Sequence, residues 1–162
     1  RALGFAEREA GILADHFLAA EERGKRGHGL TRLDWLATLP DLDPAAQAER
    51  VVAEEGFERW EGRGALGYLT LAAIVDAQLA APPARARVVV AHECFPTGVL
   101  GHWARRLSEG GLIAVLTATS PARLSHPDGG PHRGGEEQAR SPRGPRRPGS
   151  RNRHGCSIAQ PW

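Results

Sequence analysis

The stretch VVVAHECFPTGVLGHWARRLSEGGLIAVLT, residues 88–117, decides how this chain folds. Val88-Val89-Val90 is a β-branched run of the kind that fills a buried strand. Val99, Leu100, Trp103 and Leu107 then fall on one helical face, which Gly110-Gly111 closes. Leu112 to Thr117 is a second apolar run. Strand, helix and strand with short links predict two parallel strands joined by a right-handed crossover.

Outward from this unit the pattern stays regular. Leu71, Ile74, Val75, Gln78 and Leu79 predict a helix that Pro82-Pro83 terminates. Val51 to Trp60 reads as a strand or hairpin arm, closed by Glu61-Gly62-Arg63-Gly64. Ile12, Leu13, Phe17 and Ala20 mark an amphipathic helix stopped by Gly24. Leu33, Leu36 and Leu39 keep helical spacing up to Pro40, and Asp43-Pro44 reads as the cap and first position of a short helical turn. The expected fold is mixed α/β (α+β): an N-terminal helical segment, then part of a mixed sheet with flanking helices.

The length of 162 residues bounds this to one domain or a piece of one. Hydrophobic residues make up 41% and charged residues 25%, an ordinary globular balance. No run approaches the ~18 apolar residues of a membrane span, so no membrane partner is expected. Cys94 and Cys156 make no disulfide framework and lack zinc-site spacing, so no metal is expected and the chain reads as cytoplasmic. The charge is uneven. Residues 1–128 carry 14 Lys+Arg against 17 Asp+Glu, whereas residues 129–162 carry seven Arg against two Glu, with Gly or Pro at twelve positions. Such a segment buries too little apolar surface to offset its chain entropy, so residues 131–162 are expected to form a disordered basic tail behind a domain at 1–130. The tail lacks the interleaved aromatics of single-strand binders, which disfavours nucleic acid as a partner.

Chemistry points first to His28. Gly27 and Gly29 leave its imidazole uncrowded, and Arg32 follows four residues on, so a helix starting near Gly29 would set the two side chains a turn apart. Arg would clamp the carboxylate of a small 2-oxo acid, and His would protonate the neighbouring carbonyl oxygen. A surface His and an Arg paired with Asp34 or a nearby Glu fit the same spacing, and spacing alone favours that plainer alternative. Thr119-Ser120-Pro121 sits just past the second strand, where ligands of α/β sheets tend to lie; a turn bonding its own backbone fits equally. His92, Cys94 and His102 match no standard metal spacing.

Four stretches, in order, carry a resemblance. Arg23-Gly24-Lys25-Arg26-Gly27-His28-Gly29-Leu30-Thr31-Arg32 resembles the Ser-His-Gly-Val-x-Arg segment of the malate/L-lactate dehydrogenase family, the non-Rossmann NAD(P)-dependent reductases of 2-oxo acids and cyclic imines. Trp60 to Gly67 is similar to that family's Asp-Gly-x-x-x-x-Gly turn before a helix. Gly98 to Trp103 with Glu109 to Ile113 resembles its glycine–helix–Gly-Leu-Ile unit. Thr119-Ser120-Pro121 and Gly129-Gly130 resemble its Asn-Ser-Pro and Gly-Gly signatures. The resemblance implies a non-Rossmann dehydrogenase-like fold, usually a homodimer. It implies His28 as proton donor, Arg32 as the substrate-carboxylate residue, Thr119, Ser120 and Pro121 near the cofactor, NAD or NADP as cofactor, and a small 2-oxo or 2-hydroxy acid as substrate.

This chain departs from the family at Gly27, where the family has Ser; at Phe95-Pro96-Thr97, where it has a His; and at Thr119, where it has Asn. The Gly-Thr-Asn-Pro expected after Gly130 is absent, and the resemblance stops there. Three expectations stand side by side: a truncated dehydrogenase of this family, an inactive remnant frameshifted near residues 130–135, and a non-catalytic α/β module whose basic tail binds an acidic partner.

Overall fold

The computed structural model describes residues 3–119 and 155–159. Those residues form α1 (Glu7–Glu22), a 3₁₀ turn (Arg26–His28), α2 (Thr31–Leu36), β1 (Glu49–Ala53), β2 (Phe57–Glu61), α3 (Gly67–Ala80), β3 (Val88–His92), α4 (Leu100–Glu109), β4 (Val115–Ala118) and β5 (Gly155–Ala159). The strands make one mixed sheet in the order β1-β2-β3-β5-β4. The mixed α/β class read from the sequence is the class observed.

Local chemistry accounts for most element ends. On α1, Leu13, His16, Phe17 and Ala20 are buried at helical spacing. The helix stops because Gly24 takes φ +69. The Lys25 and Gly24 N–H groups then bond back to the carbonyls of Ala20 (2.9 Å) and Glu21 (2.8 Å). α3 is apolar almost all round and buried along its length, from Tyr68 through Leu71, Ile74 and Val75 to Gln78. α4 buries Trp103 and Leu107, one turn apart, and the Leu112 N–H closes on the Leu107 carbonyl. Asp76 on α3 accepts from Arg8 of α1 (3.0 Å) and Arg106 of α4 (2.8 Å), so one carboxylate ties three helices.

The sheet and the helices share one core. β2 and β3 alternate, turning Glu58, Trp60, Val89 and Ala91 inward. These meet Phe17, Leu36, Leu71, Ile74, Val75, Trp103 and Leu107. Glu58, 2% exposed, is the one buried carboxylate of the described residues. Its Oε1 accepts from Arg50 (3.2 Å) and Arg87 (3.1 Å), and its Oε2 from Trp60 Nε1 (3.0 Å) and Gln78 Nε2 (2.9 Å). Arg87 also donates to Gln78 Oε1 (2.9 Å), closing the ring of partners.

The two strands of the 88–117 unit are parallel, as expected, with a third between them: β3 and β4 both run antiparallel to β5. Two expectations are corrected, the start of the last strand of that unit and the helix at Asp43-Pro44. β4 starts at Val115, because Leu112 is still bonded to the end of α4. Within the 131–162 segment, residues 155–159 form β5. Its Gly-Cys-Ser-Ile-Ala run holds no proline and no charge, a local exception that composition averaged over the whole segment conceals. The remainder of the 131–162 segment lies outside the described residues. Asp43-Pro44 starts a turn, not a helix: Asp43 Oδ1 accepts the Ala45 N–H at 2.9 Å and the chain then leaves for β1.

Glu58→Ala leaves Arg87, Gln78 and Trp60 without their acceptor. Breaking a buried ion pair by removing one partner costs about 3–5 kcal/mol. Urea unfolding of the variant is expected to show a loss of that size, whereas Glu49→Ala, which removes only an exposed pair with Arg63, stays within about 1 kcal/mol of the parent.

Candidate functional site

His28 and Arg32 are brought together, though not by a shared helix. His28 ends the 3₁₀ turn, and Arg32 lies in the first turn of α2, with Gly29-Leu30 between them. A Cβ at Gly29 would displace the Glu21 carboxylate, which accepts the Leu30 N–H at 2.9 Å. Gly27, where the family carries Ser, has nothing within 4 Å of a Cβ position, so its glycine answers no steric need.

Arg32 is held on two sides. Its Nε donates to the Gly27 carbonyl at 2.8 Å, and its guanidinium carbon lies 5.1 Å from the centre of the Trp35 ring. Trp35 in turn meets Phe95 edge-on at 6.0 Å. Among the described residues no carboxylate pairs with Arg32, so the salt bridge to Asp34 or a Glu is not formed. The outer donors of a half-buried, oriented guanidinium are left open. Exposed His28 has its pKa lowered by desolvation, then by the charges of Arg32 and Lys25. An anion binding between these cations would relieve that repulsion and draw the His28 pKa back up.

Beneath the pair lies a group of rings that the sequence reading passed over. His16 is fully buried, stacked on Trp103 (5.2 Å) and edge-on to Tyr68 (4.9 Å) and His102 (4.7 Å). Its Nε2 accepts the Val99 N–H at 3.1 Å, at the start of α4. Nδ1 therefore carries the proton, and it has no partner among the described residues. Gly98, at φ +66, allows this approach, since a Cβ there would strike both His16 and Tyr68. The signal for His16 was available, because it falls on the buried stripe of α1 between Leu13 and Phe17. Burial, then the charges of His102 and His28, lower its pKa to about 3. Burial raises the Tyr68 pKa to about 12, opposed by Arg32, so Arg32 acts electrostatically on the phenol.

The parallel pair β2 and β3 ends beside a cavity of about 850 Å³, lined in part by Asp41, Asp43, Arg63, Leu66, Glu93 and Phe95. Ligand sites of α/β sheets lie at such strand ends. Thr119 follows β4 at the same end of the sheet, across β5 from His92; Ser120 and Pro121 lie outside the described residues. The cavity does not fit a dinucleotide. Asp41, Asp43 and Glu93 would repel the diphosphate, and Arg63 is already paired with Glu49 at 2.7 Å. At the start of α4 the Val99 N–H is already taken by His16. No group of three ligating side chains suited to a metal occurs among the described residues.

The fold defines a class: structures of dehydrogenases share it in outline. Malate dehydrogenase of Pyrococcus horikoshii superposes with a TM-score of 0.68 at 22% identity, over 77% of this chain and 37% of that one. Sulfolactate dehydrogenase of Methanocaldococcus jannaschii gives 0.66 at 22%, over 75% and 37%. Malate dehydrogenase of Entamoeba histolytica gives 0.68 at 18%, over 78% and 36%. At these identities the likeness is one of fold, and the chain spans little more than a third of their length. No curated protein matched the chain. Residues 1–136 match the family model of the malate/L-lactate dehydrogenases, and the chain belongs to that family.

His16 yields a pH prediction. It stays neutral in the folded chain down to about pH 3 but takes a proton near 6.5 when unfolded. The unfolded state then binds more protons across that window, so stability is full above pH 6.5 and falls as pH drops, by ~1.4 kcal/mol per unit at most from this residue. The lowered pKa values of His102 and His28 act in the same direction. Urea midpoints at pH 7, 6, 5 and 4 are expected to fall in step, and less steeply in His16→Gln.

Proposed function

We propose that this protein is an oxidoreductase interconverting small 2-oxo and 2-hydroxy acids with NAD or NADP, and that the residues described here supply its acid-holding, proton-handling part. The observation that carries the reading is the guanidinium of Arg32, oriented by Gly27 and Trp35, facing no carboxylate among the described residues, beside a histidine. A planar fork with free N–H donors suits a carboxylate in a two-point pair. His28, one residue before Gly29 and within the field of Arg32, then lies on the side of the substrate's 2-oxygen. In the reductive direction its imidazolium gives that oxygen a proton, and in the oxidative direction its neutral ring takes the proton away. The lowered His28 pKa favours the neutral ring in the free protein, and an anionic substrate restores the protonated form. The nicotinamide cofactor is carried over from the family, and so is the homodimer. The cavity at the strand ends does not fit the dinucleotide.

The test is kinetic, on the protein extended to the family's full length and assayed by NAD(P)H oxidation against a panel of 2-oxo acids. A proton donor acts mainly in the transition state, so His28→Ala is expected to lower kcat by ~10²–10⁴-fold. A carboxylate clamp serves ground and transition states alike, so Arg32→Ala mainly raises KM, by roughly 30–150-fold. Wild-type kinetics in His28→Ala would overturn the assignment of the acid.

A further inference from the structure

Tyr68 stands out among the side chains that this reading leaves idle. It occupies the first turn of α3, is 1% exposed, and is fixed by edge-on contacts with His16 (4.9 Å) and Phe17 (5.3 Å). Gly98 closes on the other side of its ring. Despite that packing, its hydroxyl forms no hydrogen bond with any described residue. Nor is the oxygen sealed: among the described residues the one fully enclosed, unpartnered side-chain N or O atom is His16 Nδ1. The small exposed area of Tyr68 therefore includes its hydroxyl, on a ring that cannot swing away. Gly67, next to Tyr68, packs against Cys94 and Pro96, and Phe95 between them meets the Trp35 ring that holds Arg32, whose charge is felt at the phenol. A buried O–H left unbonded is costly, and a ligand oxygen removes the cost.

We propose that the Tyr68 hydroxyl donates to the 2-oxygen of the acid whose carboxylate Arg32 holds, and so selects 2-oxygenated acids over plain carboxylic acids. This rests on the reading of Arg32 given above. A carbonyl oxygen has two lone pairs, so His28 and Tyr68 can serve the same atom. Burial keeps the phenol protonated across the working pH range, so it acts as a donor and never as an anion repelling the substrate. No protein partner is lost in Tyr68→Phe, so the ring packing and the melting temperature should survive the change.

The experiment titrates the 162-residue chain with pyruvate and with propionate, two monoanions that differ at the 2-oxygen, following His28 and Tyr68 ring signals by NMR. The parent is expected to bind pyruvate more tightly. Tyr68→Phe is expected to weaken pyruvate by about 3–10-fold, the range of one neutral hydrogen bond, and to leave propionate unchanged. Arg32→Gln is expected to weaken both. Unchanged pyruvate binding in Tyr68→Phe, with both acids weakened in Arg32→Gln, overturns the role of Tyr68 and leaves that of Arg32 standing. Equal weakening of both acids in Tyr68→Phe means a packing role and also overturns the proposal. If the parent binds neither acid, or Arg32→Gln changes neither, the Arg32 reading falls and the Tyr68 proposal falls with it.

Discussion

The carboxylate of Glu58 is a negative charge shut inside the molecule, and much of the fold is arranged around keeping it satisfied. Its donors come from β1, β2, α3 and the approach to β3. Each element must sit at hydrogen-bond distance from one side chain, so the network fixes their relative positions more sharply than apolar packing could. Apolar contact alone tolerates sliding; a buried ion with four donors does not. The consequence reaches the site. Once α3 is locked against β2, its first turn sets Tyr68 edge-on against His16. Once β2 and β3 are in register, their ends open beside the cavity.

The helical half depends on a second, quieter constraint. His16 accepts the first free N–H of the α4 region, and Asp76 joins α1, α3 and α4 from outside the core. The first is an uncharged bond in a dry place, the second an ion pair in a wet one. They answer differently to solution conditions: salt weakens the Asp76 pairs, and acid attacks the His16 bond.

Much of this was legible from residues alone. Helix spacing gave α1, α3 and α4, β-branched runs gave β3, and glycine placed the end of α1. These signals are local, and each residue's own preference agreed with the fold. His28 and Arg32 were legible because two glycines and a four-residue interval are local as well. The rest was not. That β5 separates β3 from β4 is a pairing over some forty residues, which no window of sequence contains. That Arg32 lacks a carboxylate partner depends on where Glu21 and Asp34 point, and Glu21 is occupied by the Leu30 N–H. Tyr68 lay outside the spacing that marked α3; only the packed structure shows its hydroxyl bonded to no described residue.

The rim of the cavity has a consequence for how this scaffold can change. Arg63 (φ 49) and Glu93 (φ 54) are non-glycine residues held in left-handed backbone, at the ends of adjacent parallel strands. Gly62 beside them gives its N–H to the His92 carbonyl, and any side chain there would strike the Glu93 backbone. Strain of this kind amounts to about 1–3 kcal/mol per residue. It is confined to two loop positions at the far end of the strands from Phe57 and Val88. The rim is thus the part of the molecule where exchanges can relax the backbone instead of straining it. New loop sequences can be tried there with the Glu58 network left intact, which makes this the natural place for the scaffold to diverge in what it accepts.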